Sequence, residues 1–187
     1  MNQKKNPKYI FFLILISLLW NCESKSKNDK LCEQHPKYYN EFRLPKKIIG
    51  YNNYQQGIDC SEKINKPLAV YFTANTCKKC REFEEEFLNS DKVSKLINKN
   101  YVFVGLFVDD KTELPSEDQF IQNVPNSDRK RRIKTIGQLN CTLLTKYHHS
   151  SQPTLFITDE NESIVRLIGY NPNKEELIEE LSTTIKK

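Results

Sequence analysis

Two short stretches constrain this chain most. Leu68-Ala69-Val70-Tyr71-Phe72 and residues 101–108 are continuous apolar runs, rich in β-branched and aromatic side chains. Runs of this length without polar alternation read as strands buried on both faces. A sheet built from such strands needs helices on both sides. The intervening sequence supplies them. Tyr54, Ile58 and Ile64 with Gly57 and Cys60 predict a short amphipathic helix ahead of the first run. Phe83, Phe87 and Leu88 among Glu82, Glu84, Glu85 and Glu86 predict a one-faced helix after it, continued by Val93, Leu96 and Ile97 behind Asp91.

The second half reads less regularly. Residues 111–135 are polar, with Pro115 and Pro125, and read as irregular. A helix over about 137–148 presents Leu139, Leu143 and Tyr147. Residues 154–157 and 164–168 read as a hairpin around a 159–162 turn. Asn173 with Glu176 predicts a capping box for a last helix striped by Leu177, Ile178, Leu181 and Ile185. The expected fold class is α/β, a central mixed β-sheet flanked by helices on both faces.

Before residue 50 the pattern is different. Residues 9–20 are apolar but for Ser17 and follow Lys4, Lys5 and Lys8. The run is too short for a spanning helix and matches the apolar region of an export signal. Leu18-Leu19-Trp20-Asn21-Cys22 resembles a bacterial lipoprotein cleavage box, with Cys22 the acylated residue; ordinary secretion with Cys22 a passenger, or an uncleaved anchor, is the alternative. The domain expectation is therefore a signal at 1–21, a polar tether at 22–49 and a folded domain at 50–187. The chain is expected in the bacterial cell envelope, lipid-anchored to a membrane and facing the periplasm, where disulfides persist. A hydrophobic content of 37% excludes wholesale disorder, and six Cys in 187 residues are too few for a small disulfide scaffold. The net charge of +5 is partly that of the N-terminal lysines, so a nucleic-acid partner is not expected.

The chemistry is concentrated in Cys77-Lys78-Lys79-Cys80, between the first strand and the Glu-rich helix. At i and i+3 the sulfurs share one side of the first helical turn. Unpaired N–H groups there, with two lysines, favour a thiolate at Cys77. A second thiol one turn deeper, Cys80, can resolve a mixed disulfide. Zinc competes for such a pair but usually takes four ligands, and Cys60, Cys141, His148 and His149 lack standard spacing. A purely structural disulfide is the other alternative.

These residues carry a family resemblance. Lys66-Pro67, Val70-Tyr71-Phe72-Thr73-Ala74, the C-x-x-C and the helix with Phe83 and Phe87 are similar to the thioredoxin superfamily. Within it the chain resembles the C-terminal thioredoxin-like domain of the thiol:disulfide interchange protein DsbD. Ser90-Asp91-Lys92-Val93, residues 108–115, Ile136-Gly137 and Ser151-Gln152-Pro153 carry that closer likeness, over about residues 50–185. The resemblance implies a thioredoxin fold and a thiol–disulfide oxidoreductase with Cys77 and Cys80 catalytic. It implies that Gln152-Pro153 is a cis peptide positioning the substrate strand, and that no dissociable cofactor or metal is needed. Expected partners are disulfide-bearing exported proteins and an upstream membrane dithiol that donates electrons. A second function is carried alongside: a non-catalytic binding lipoprotein of the same fold with a structural Cys pair.

The chain departs from the pattern at Tyr71, where thioredoxins hold a buried acid that helps deprotonate the second Cys. Thr76 is a lesser departure. Among the other cysteines, Cys60 reads as an inert core thiol or as a partner for Cys32, and Cys141 as the unpaired one. The Arg129–Lys134 run reads as a solvated loop, or alternatively as a dock for an acidic partner or anionic headgroups. His148 and His149 read as favouring a helix C-terminus.

Overall fold

A computed structural model describes Cys32 and residues 44–124, 128–159, 163–169 and 173–184. The expected signal at 1–21, the acylated Cys22 and the tether apart from Cys32 and residues 44–49 lie outside the described residues, as do Pro125 and Ile185. The chain divides into two compact units, Met1–His35 and Pro36–Lys187. Of the first, only Cys32 is described, and it is disulfide-bonded.

In the second unit the elements run in the order β1 (Gly50–Tyr51), α1 (Tyr54–Ile64), β2 (Leu68–Thr73), α2 (Lys78–Phe83), a wide turn (Glu84–Leu88), α3 (Asp91–Asn100) and β3 (Val102–Phe107). A single 3-10 turn (Ser116–Asp118), β4 (Phe120–Asn123), β5 (Lys130–Ile133), α4 (Ile136–Lys146), β6 (Thr154–Thr158), β7 (Ile164–Gly169) and α5 (Lys174–Thr184) follow. Five strands form one sheet in the order β1-β3-β2-β6-β7. β1, β3 and β2 are parallel, while β6 and β7 are antiparallel to their neighbours. The sheet is mixed, as the sequence predicts.

Every residue of β2, β3 and β6 is buried. Alternation divides their side chains between two layers. Ala69, Tyr71, Phe103, Leu155 and Ile157 meet Phe83, Phe87, Val93, Ile97, Leu177 and Leu181 from the α2, α3 and α5 side. On the other side Phe72, Phe156 and Tyr147 pack ring against ring, and the Tyr54 and Tyr147 hydroxyls share a hydrogen bond that ties α1 to the end of α4. Truncating a ring such as Phe72 to Ala would cost about 3–5 kcal/mol by transfer and cavity terms.

The helix ends follow from their caps. Asn53 accepts from the Gln56 N–H to start α1, and Asn65, in the left-handed region at φ 51°, ends it. Thr135 and Gln138 form a full capping box at α4. At the last helix the Glu176 N–H donates to Asn173 Oδ1 at 3.4 Å. Gly137 is required by a close approach. A Cβ there would meet the Asp110 carbonyl at 2.6 Å and the Val108 carbonyl at 2.7 Å.

Two expectations are corrected. The segment 111–135 is not irregular throughout, because β4 and β5 form a two-stranded sheet of their own, closed by a Val124 N–H to Arg129 carbonyl bond of 2.9 Å. The Arg129–Lys134 run is accordingly a strand for most of its length rather than a loop. Ile133, fully buried with Leu114 and Ile136, is the anchor that outweighs the surrounding charge. Residues 44–49, at the end of the polar stretch, lie on the domain, with Ile48 buried in the core and Lys47 paired to Asp91 at 2.6 Å.

Candidate active site

β2 delivers the chain to the site. Its last residues, Phe72 and Thr73, lead through Ala74, Asn75 and Thr76 to Cys77, the N-cap of α2. Cys77 and Cys80 are joined by a disulfide with Cα atoms 5.2 Å apart. Cys77 is partly exposed and Cys80 fully buried. The Cys80 N–H is shared between Cys77 Sγ at 3.2 Å and the Cys77 carbonyl at 3.1 Å, so an amide of the first turn is aimed at the outer sulfur. Lys78 and Lys79 are exposed beside it. An anion at Cys77 Sγ has a backbone donor and two nearby cations; one at Cys80 has burial against it.

The loop before Cys77 is held from two sides. Asp109, just past the end of β3, accepts from the Asn75 N–H at 3.0 Å and from the Thr76 N–H and hydroxyl at 3.1 Å each. Partial burial pushes the Asp109 carboxyl up, but these donors overcome it and hold the group below the ordinary aspartate range. From the other side the Arg81 guanidinium donates to Thr73 Oγ1 at 2.8 Å and to the Ala74 carbonyl at 3.1 Å.

Next to Cys80 lies a polar group that the sequence reading missed. The Glu84 carboxylate is buried and accepts from the Thr73 hydroxyl at 3.0 Å and the Tyr71 hydroxyl at 3.2 Å. Arg81 pairs with the same oxygen at 2.8 Å. The Tyr71 hydroxyl also lies 3.4 Å from the Cys80 carbonyl. Burial raises the Glu84 carboxyl above the usual range, and Arg81 and the two hydroxyls partly oppose it. Burial, then the Glu84 charge, drives the Tyr71 phenol far up, so it stays protonated as a donor. The position held by an acid in thioredoxins is thus a phenol here, and that phenol is hydrogen-bonded to an acid from the helix. A signal was present: residues 80, 83, 84, 87 and 88 form one helical stripe, and Glu84 is its only acid.

The Gln152–Pro153 peptide is cis, and Pro153 is buried. Thr154, the next residue, pairs with Phe72 of β2 and with Gly169 of β7. The proline therefore lies at the sheet end from which the Cys77 loop departs.

The remaining candidates lie apart from this group in role. Cys60 is buried as expected but is disulfide-bonded, so it is not a core thiol. Cys141 is a free cysteine, half-buried, with its thiol raised by burial against a smaller opposing influence of Arg131. His148 follows α4 in the left-handed region at φ 52°, and His149 packs edge-on to Phe156 while sharing a 2.9 Å bond with Ser151. Among the described residues no group of three or more His, Cys, Asp or Glu side chains is placed to hold a metal ion.

With fold and site in view, the chain belongs to the Thioredoxin-like domain family, whose pattern it matches over residues 54–185. Solved structures share the fold at low sequence identity. A protein titled DsbH oxidoreductase is 16% identical, with 84% of this chain and 98% of that chain covered at a TM-score of 0.55. A thioredoxin from Thermus thermophilus is 17% identical, with 73% and 86% covered at 0.52. The C-terminal domain of DsbD from Neisseria meningitidis, in its oxidised form, is 17% identical, with 72% and 98% covered at 0.49. No curated protein matches the sequence.

Proposed function

We propose that this chain is a membrane-tethered thiol–disulfide oxidoreductase that reduces disulfides in exported proteins. The observation that carries the proposal is the asymmetric Cys77–Cys80 disulfide, outer sulfur partly exposed at a helix N-cap and inner sulfur buried. In the reduced protein the Cys77 thiolate attacks one sulfur of a substrate disulfide. A mixed disulfide forms and the other substrate sulfur leaves as a thiolate that takes up a proton. Cys80, once deprotonated, attacks Cys77 Sγ. The second substrate sulfur leaves, and the Cys77–Cys80 disulfide is restored with two electrons passed to the substrate. An upstream membrane dithiol re-reduces the pair. Glu84, one turn beyond Cys80 and raised by burial, is the group suited to accept the Cys80 proton. Gln152 and Pro153, at the same sheet end, are the positions against which the substrate strand would lie.

Insulin reduction by the wild-type chain and by Cys77→Ser tests the activity; equal rates would leave the pair a structural staple in a binding protein. A reduction potential near about −270 mV supports the reductase direction, and one near about −120 mV overturns it. The tether is tested separately. Among the described residues no helix is long and apolar enough to cross a membrane. Acylated Cys22 would supply the attachment, since stable anchoring takes more than one acyl chain at about 0.8 kcal/mol per buried CH₂. Mass spectrometry of the mature N-terminus should find lipid on Cys22, and an unmodified N-terminus at another residue would remove the anchor.

A further inference from the structure

The exchange chemistry leaves the β4–β5 hairpin without a task. This ribbon is a separate two-stranded sheet. Its second strand and flanks carry Arg129, Lys130, Arg131, Arg132 and Lys134, and Asp128 is the one acid in the sequence from 119 to 134. The five cations less that one acid leave this segment with a local charge of +4.

Register sorts the side chains by face. Phe120 pairs with Ile133 and Gln122 with Arg131, while Ile121 pairs with Arg132 and Asn123 with Lys130. Cross-strand partners share a face and neighbours alternate. Ile133 is buried with Leu114 and Ile136, so its face is the one held to the domain. The opposite face presents Ile121, 66% exposed, with Arg132 directly across and Lys130 diagonal to it. Cations alone would be an ordinary guard against edge pairing. A large β-branched aliphatic held out among them serves no such purpose.

We propose that this outward face, Ile121 with Lys130 and Arg132, rests on an anionic lipid surface. Lys and Arg near such a surface are drawn by its negative potential, and an aliphatic side chain among them enters the boundary between headgroups and acyl chains. The size of the face favours lipid over an acidic protein. Four-residue strands span about 13 Å and two strands stand about 5 Å apart. That is far below the roughly 800 Å² per partner of a stable protein interface. The inference stands on the hairpin's geometry and not on the redox chemistry. Its consequence is an orientation, with the hairpin on the membrane and the domain held at a fixed attitude to it.

Hydrogen exchange of the full chain in nanodiscs tests this. The discs contain phosphatidylcholine alone or phosphatidylcholine with phosphatidylglycerol. Amides of β4 and β5 should exchange about fivefold more slowly on the anionic discs, while β2 and β3 amides stay unchanged. The slowing should vanish in Lys130→Glu/Arg132→Glu and in high salt. Equal hairpin exchange on both discs would overturn the proposal. So would hairpin protection by polyglutamate in solution without protection on the anionic discs, which would give the face to an acidic polypeptide. Attachment through the N-terminus is common to both discs, so its effect cancels in the comparison.

Discussion

Cys77 and Cys80 share one disulfide but stand in opposite surroundings. Cys77 caps a helix, is partly exposed, and follows a loop tied to Asp109. Cys80 is fully buried beside Tyr71, Glu84, Thr73 and Arg81. Each surrounding contains one carboxylate, and the two have been moved in opposite directions. Asp109 has three donors and is held low. Glu84 is buried more deeply than Arg81 and two hydroxyls can offset, and it is held high. The difference teaches which group can do what. A carboxylate held low is a permanent acceptor, suited to fixing a loop. A carboxylate held high can take a proton when a buried thiol gives one up.

The largest expected effect breaks the comparison outright. Cys77→Ser should lower insulin reduction by at least about 1,000-fold, because the attacking thiolate is gone. Cys80→Ala should instead accumulate Cys77-linked mixed disulfides with client proteins, seen as adducts on non-reducing gels. Trapping through Cys80 in a Cys77→Ser protein would reverse the two roles.

Next comes Glu84. Glu84→Gln keeps acceptor and volume but cannot take a proton, and it should slow release of the mixed disulfide by about 100-fold, the low end of the range for a lost general base. Its stability effect has a definite sign. A folded-state value raised above the unfolded one means the folded protein binds more protons between the two. Wild-type stability is therefore favoured below the unfolded glutamate value of about 4.3 and declines as pH rises through the folded-state value. Urea unfolding across that window should show the decline in wild type and not in Glu84→Gln. A parallel pH dependence in both proteins would mean Glu84 is not the titrating group.

Alkylation of the reduced protein sharpens the contrast at smaller scale. Cys77 should label first, with an apparent pKa below the free thiol's roughly 8.5. Cys80 should label slowly for want of access. Cys141 is half-buried and its thiol is raised by burial, so it should label later than Cys77 at neutral pH. Faster labelling of Cys80 than Cys77 would remove the basis for calling Cys77 the nucleophile.

The same contrast explains what could be read from sequence. The sheet was legible because residues 68–72 and 101–108 are continuous apolar runs, and burial on both faces leaves that trace. The Cys pair was legible from spacing and place, strand before and helix after. Glu84 was not read, because three neighbouring acids make the helix look uniformly solvated on that side. Only the stripe through Cys80, Phe83, Phe87 and Leu88 sets it apart. Asp109 was not singled out; its tie to Asn75 and Thr76 spans more than thirty residues and no local pattern encodes it. The β4–β5 hairpin was missed because its pairing rests on one buried anchor, Ile133, in a strand otherwise written in Lys and Arg. At the last helix Asn173 accepts from the Glu176 N–H as its pattern predicts, while the full box of Thr135 and Gln138 was not read.

The smallest expected effect concerns the outer carboxylate, and two substitutions separate its two contributions. Asp109→Ala removes the acceptor for the Asn75 and Thr76 amides, loosening the loop that delivers Cys77. A net hydrogen bond is worth about 1 kcal/mol, so a drop of about fivefold in kcat/KM for insulin reduction is expected. Asp109→Asn retains a carbonyl acceptor and should recover to within about twofold. Both substitutions also delete a negative charge near the attacking sulfur, so both should lower the apparent pKa of Cys77, which alkylation against pH reads directly. The rate therefore separates the variants while the pKa groups them. Because Asp109 is held below its unfolded value, its contribution is present above about pH 3.9 and is lost as pH falls through the lower folded-state value. At neutral pH the tie is complete. If Asp109→Ala turned over insulin at the wild-type rate, the tie would be structural only, and the positioning of Cys77 would rest on Arg81 and the helix start alone.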